Sequence, residues 1–326
     1  MITNQNETTL RTWDAIHAVG FVTLACALAV FSESLAAMSI ESQLIVLLAG
    51  TLVLGIPHGA LDLPVARSWL APRLGWTWLP IFSTAYLAVA APVALGWVFF
   101  PTATLAFFLV TAVIHFAVSD TLEQRLPPWR RVLEGLARGA APIAGAARFW
   151  PEEVTGLFNI LVSFSASSNA GAALQEICAA AWLPALIGIA LAAILRAFDA
   201  LSGDLRALTK AAELMSLPIV FSALPPLLAF AAYWVGLHSL HVMLLSAAQT
   251  QRGLAAGLTS VFKRSVPATL ISFIGAGVIY FLAFQSSGPV EGAVSILFMG
   301  LASLNTPHML FVLIASSIAQ PDHRTS

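Results

Sequence analysis

Charge is what this sequence has least of. Asp, Glu, Lys and Arg together make up 10% of the 326 residues, where a soluble domain carries about a quarter. Set against 59% hydrophobic side chains, that scarcity excludes an ordinary water-soluble domain and makes the chain an integral membrane protein. Cysteine is nearly absent. Cys26 and Cys178 both lie in apolar runs with no CxxC spacing, which excludes a disulfide framework, a zinc ribbon and an iron–sulfur cluster. There is no Lys/Arg-rich block and the formal net charge is −1, so nothing is built to bind nucleic acid. The alternation of a β-barrel is missing. The first residues show no basic region followed by a cleavage site, so no signal peptide is read.

What is present is a series of apolar runs long enough to cross about 30 Å of hydrocarbon as helices. Spans are expected near 15–31, 43–57, 76–100, 102–118, a weaker 140–165, 178–198, 211–224, 226–248, 267–285 and 293–318. The fold class is therefore all-α, a polytopic membrane helix bundle of about 8–10 transmembrane helices. Glu134, Arg138 and Arg148 crowd the fifth run and give it the character of an interfacial helix. Pro218, Pro225 and Pro226 mark the seventh as broken or re-entrant.

Loop charges orient the bundle. Arg67 and Arg73, then Arg125, Arg130 and Arg131, then Arg206 and Lys210, then Arg252, Lys263 and Arg264 follow the even-numbered spans, and Arg11 and Arg324 flank the series. By the positive-inside rule both termini are cytoplasmic, in the inner (plasma) membrane. No linker divides the chain. It reads as an N-terminal tail over 1–14, one transmembrane helical domain over 15–318 and a C-terminal tail over 319–326.

Seven histidines are the exception to the apolar pattern. His323 belongs to the polar tail, but His17, His58, His115, His238, His241 and His308 lie in or at the ends of spans. Burying each ring in lipid without partners costs a few kcal/mol. The orientation places all six at comparable depth, which is what a single metal site requires. His238 and His241 are three apart, on one face of an α-helix. That spacing serves a shared ion, and it equally serves two separate helix–helix hydrogen bonds. GIPHGALD, over 55–62, sets His58 between a proline and a glycine, with Asp62 placed to accept its second ring N–H. HFAVSD repeats the theme with His115 and Asp120, an aspartate that also fits a helix cap. An all-imidazole site suits iron, copper, zinc or nickel. HExxH and the histidine clusters of membrane desaturases are missing.

These motifs resemble those of the Brp/Blh family of prokaryotic membrane β-carotene 15,15'-dioxygenases. The resemblance rests on PHGALD at 57–62, HFAVSD at 115–120, AAYWVGLHSLHVML at 231–244 and TPHMLFV at 306–312. It implies a catalytic domain holding non-haem Fe(2+) on His58, His115, His238 and His241, with Asp62 and Asp120 behind them. It further implies cleavage of the central double bond of β-carotene by O2 into two retinal molecules, with retinal passed to a rhodopsin apoprotein. The family's paired histidines are usually spaced HxxxH and here they are HxxH, which makes His308 the alternative ligand. An apolar polyene dissolved in the lipid bilayer calls for a slot between helices lined by aromatics, and Phe116, Tyr233 and Trp234 are the candidates beside the ligands. A metal or proton-coupled transporter using the same histidines is the reading from another class. A divergent homologue binding or cleaving another carotenoid is the third.

Overall fold

The computed structural model describes residues 4–122, 124, 126–163, 169–250, 253–284 and 287–319, without the side chains of 4–9, 11 and 316–319. Arg125, Arg252, His323 and Arg324, and the Arg11 side chain, lie outside the described residues.

Every regular element among the described residues is helical, as hydrocarbon demands of a backbone that must satisfy its own N–H and C=O groups. Seven stretches are long and apolar enough to cross a membrane: Thr12–Val30, Ile40–Phe99, Pro101–Ser119, Ala170–Leu201, Pro226–Gln249, Leu254–Phe284 and Pro289–Ala315. The protein is a multi-pass membrane bundle. The Ile40–Phe99 stretch takes in both the second and the third expected spans.

In chain order the helices are α1 (Asn4–Val30), α2 (Ser32–Ala36), α3 (Ile40–Gly50), α4 (Ile56–Gly59), α5 (Asp62–Leu74), α6 (Trp78–Phe99), α7 (Pro101–Ser119) and α8 (Pro128–Phe149). They continue as α9 (Pro151–Leu161), α10 (Ala170–Ala180), α11 (Trp182–Leu201), α12 (Arg206–Ala223), α13 (Pro226–Ala231), α14 (Leu240–Gln249), α15 (Leu254–Ile279) and α16 (Pro289–Ala319). Prolines set several of these starts. Pro101, Pro128, Pro151 and Pro226 each open a helix, where the missing N–H would have had no partner in any case. Three wide π-turns are found among the described residues: Thr51–Gly55 between α3 and α4, Ala232–Ser239 between α13 and α14, and Tyr280–Phe284 at the end of α15.

Two expected spans change. The weak fifth run is broken at Trp150, where α8 ends and α9 begins; α8 packs one face into the bundle and leaves Trp129, Val132 and Leu136 of the other exposed. Glu134 and Arg138 are buried on the packed face because they are paired, while Arg148 is exposed. Arg138 bonds Glu134 at 3.1 Å and also Glu213, and Arg196 bonds Glu134 at 2.9 Å. Lys210 continues the chain to Glu213 at 3.2 Å and to Asp14 of α1 at 2.6 Å. The seventh run is one continuous helix, α12, with Pro218 inside it and the break only at Leu224–Pro225.

Small residues bring α8 against α7. A Cβ on Gly135 would sit 2.7 Å from the Ala117 carbonyl oxygen, and one on Gly139 would overlap that of Val113. This is the small-xxx-small contact of membrane helices, and it presses on the backbone on both sides of His115.

Candidate metal centre

The first two π-turns lie next to histidines. The first precedes Pro57 and His58, where proline removes a ladder donor and the wider turn reorganises the hydrogen bonding. The second contains His238. Gly50 and Gly55, one π-turn apart, let the two segments touch. A Cβ on Gly50 would stand 2.9 Å from Val235 Cγ2, and one on Gly55 2.7 Å from Trp234 Cη2. The glycine within PHGALD is less demanding, since a Cβ on Gly59 would meet His308 Nδ1 at an ordinary 3.9 Å.

Four histidine-bearing segments converge. His58, His115 and His238 are buried and offer ligand nitrogens all within 4.8 Å of one another. His115 Nε2 and His238 Nε2 are 3.2 Å apart. His308 of α16 stands beside them, its ring centroid 5.1 Å from that of His115 and 5.5 Å from that of His58.

A layer of partners orients these rings. His238 Nδ1–H donates to Asp120 Oδ1 at 2.6 Å, and His308 Nδ1–H donates to Asp62 Oδ2 at 2.8 Å. A carboxylate only accepts, so in both rings the proton sits on Nδ1 and Nε2 keeps its lone pair. His58 Nδ1 faces the Ser239 hydroxyl at 3.0 Å. His115 Nδ1 is buried without a partner. The sequence pairs each aspartate with the histidine just before it, and the structure redistributes them: Asp62 holds His308 rather than His58, and Asp120 holds His238 rather than His115.

His241 stands apart from this group. Its Nε2 lies 2.8 Å from Asp14 Oδ1, and its ring centroid is 5.0 Å from that of His17. His17 in turn donates from Nε2 to the Gly236 carbonyl at 3.0 Å. The expectation that His238 and His241 share one face assumes a uniform α-helix. The chain passes from π-turn to α-helix between Ser239 and Leu240, and the wider turn changes the angle between positions three apart.

The aromatic candidates divide as well. Phe116 and Trp234 line a cavity of about 340 Å³ beside the histidines. Phe116 packs edge-on against the His238 ring, 5.0 Å between centroids, and Trp234 stacks on Phe230 at 5.4 Å. Tyr233 is fully buried and not among the lining residues. Its hydroxyl donates to Asp120 Oδ2 at 2.8 Å, with the Arg138 carbonyl 3.3 Å away. No sequence signal marked that role, or that of Ser239.

The cavity wall is mostly apolar, drawn from α4, α5, α6, α7, α13, α15, α16 and the two π-turns beside them, with His58, His115 and His308 on it and Asp62, Ser83, Tyr86, Ser272 and Asn305 as its other polar residues. Leu87 and Ile271, both among the lining residues, are 63% and 70% exposed, so the cavity reaches the outer surface of the bundle. The donor set fits a metal ion of the kind imidazoles prefer. A cation between the rings would use Nε2 of His58, His238 and His308, whose Nδ1 atoms are engaged, together with His115.

The model of the family described as beta-carotene 15,15'-dioxygenase matches residues 49–315. The chain is 26% identical over 266 residues to a beta-carotene 15,15'-dioxygenase of an uncultured marine bacterium, 66A03, covering 81% of this chain and 91% of that one. It is 24% identical over 286 residues to the probable beta-carotene 15,15'-dioxygenase Blh of Halobacterium salinarum, covering 82% of each. No solved structure gives a significant match. The matched region takes in all four converging histidines and the cavity that His58, His115 and His308 line, and the chain belongs to the beta-carotene 15,15'-dioxygenase family.

Proposed function

We propose that this protein is a membrane-embedded non-haem iron dioxygenase that cleaves the central 15,15' double bond of β-carotene with O2 to give two retinal molecules. The observation that carries the reading is the meeting of buried histidines with a mostly apolar cavity that reaches the outer surface of the bundle. The ligand set we assign is His58, His115, His238 and His308, with His241 in a structural role. Bound Fe(II) on neutral imidazoles supplies open positions for dioxygen without adding anionic charge.

The rest is the work of the chain. Asp120, Asp62 and Ser239 hold the rings of His238, His308 and His58 in orientation. Phe116, Phe108, Trp234 and Phe230 give the polyene a flat, apolar surface and exclude water from the reacting bond. Leu87 and Ile271 border the side on which a lipid-dissolved substrate reaches the cavity. No proton is gained or lost in the net reaction, and no general acid or base is assigned. We place both termini in the cytoplasm from the positions of Arg67, Arg73, Arg130, Arg131, Lys263 and Arg264, and we infer that retinal passes to a rhodopsin apoprotein.

Expression in cells that accumulate β-carotene tests this reading. Loss of orange colour with appearance of retinal, abolished by His58→Ala, is the expected result. Unchanged β-carotene beside folded, iron-loaded protein contradicts it.

A further inference from the structure

Asn305 is a polar residue on an apolar wall. Leu301, Leu304, Asn305 and His308 all line the cavity, at spacings that mark one face of α16. The Asn305 side-chain Nδ2 is buried and has no hydrogen-bond partner. Two other polar residues of the wall are engaged: the Tyr86 hydroxyl faces Asp62 and the Leu304 carbonyl, and the Ser272 hydroxyl donates to the Ala268 carbonyl. A buried amide donor left unpaired destabilises the protein, so its presence beside His308 calls for an acceptor that arrives with a ligand.

The hydrocarbon substrate of the proposed function offers none. Its cleavage creates one. The C=C bond and the O–O bond break and two C=O bonds form, the two carbons being oxidised and O2 reduced, with no proton gained or lost. The aldehyde oxygen is the acceptor that appears in the cavity as the reaction proceeds. We propose that Asn305 is a product-binding residue, its Nδ2–H donating to the carbonyl oxygen of the newly formed polyene aldehyde. Such a donor stabilises the developing carbonyl and leaves the polyene itself unaffected, so it favours the later stages of the reaction over substrate binding.

This inference rests on the proposed function, and the test separates the two. All-trans-retinal is added to the purified full-length protein in detergent, its affinity is followed by quenching of tryptophan fluorescence, and its C=O stretch is read by difference infrared spectroscopy. Asn305→Leu is expected to raise the stretch frequency and weaken retinal binding roughly tenfold, with the bound-metal content unchanged. Should Asn305→Leu fail to accumulate, Asn305→Ala makes the same comparison with less bulk. Wild-type protein that cleaves β-carotene while the folded variant shows unchanged frequency and affinity overturns the role of Asn305 alone. Wild-type protein that neither cleaves β-carotene nor binds retinal overturns the proposed function and this inference together.

Discussion

His238 Nδ1 lies 2.6 Å from Asp120 Oδ1, across 118 positions of sequence, and the other Asp120 oxygen accepts from Tyr233 at 2.8 Å. Tyr233 is five residues ahead of His238 on the same segment, so the π-turn, the aspartate and the ring form one closed unit. Asp120→Asn is expected to lower metal affinity about 10–100-fold, in the range of such outer partners. Tyr233→Phe leaves the Asp120–His238 bond in place and is expected to cost less. Metal retained during dialysis against graded chelator measures both, and equal retention in wild type and Asp120→Asn would contradict the assignment.

The roles of His308 and His241 separate in the same way. His308→Ala is expected to lose metal and activity. His241→Ala is expected to keep the metal and lose stability by about 0.5–1.5 kcal/mol, because Asp14 gives up one hydrogen bond and keeps Lys210. Metal stoichiometry together with thermal unfolding distinguishes them, and loss of metal in His241→Ala would return that residue to the ligand set.

Much of the fold is legible in sequence because its causes are local. Run length, charge scarcity and proline positions specify membrane helices and where several of them begin. The histidines drawn together by the fold also stand out as polar residues in apolar runs. Their partners do not. Asp62 reaches His308 across 246 positions, and no spacing rule pairs them. The π-turns are equally hidden, and they are why an HxxH that would share a face in an α-helix sends its two rings to different neighbours. Glu134 and Arg138 read as marks of an interfacial helix because their partners Arg196 and Glu213 lie on other helices.

Arg138 is 1% exposed and bonds both Glu134 and Glu213. Replacing it by Met leaves two buried carboxylates short of a cation, and a loss of about 3–5 kcal/mol is expected. Chemical denaturation in mixed micelles measures the loss. A variant as stable as wild type would show that the ionic chain contributes nothing to the fold.

Gly55 holds the first two π-turns in contact. Gly55→Ala puts a methyl group 2.7 Å from the Trp234 ring, and overpacking of this kind costs typically about 1–3 kcal/mol. Because Trp234 also lines the cavity, KM for the polyene is expected to rise along with the loss of stability. Steady-state kinetics beside a melting curve checks the pair of effects, and an unchanged KM in a destabilised variant would place Trp234 outside the substrate's reach.

The most direct test of the central claim is the length of the products. Purified protein, reconstituted with Fe(II) and given β-carotene and O2, is expected to yield two retinal molecules per polyene consumed by mass spectrometry, and none with His58→Ala or His308→Ala. Products of unequal length, or no cleavage by wild-type protein with iron bound, would contradict the account.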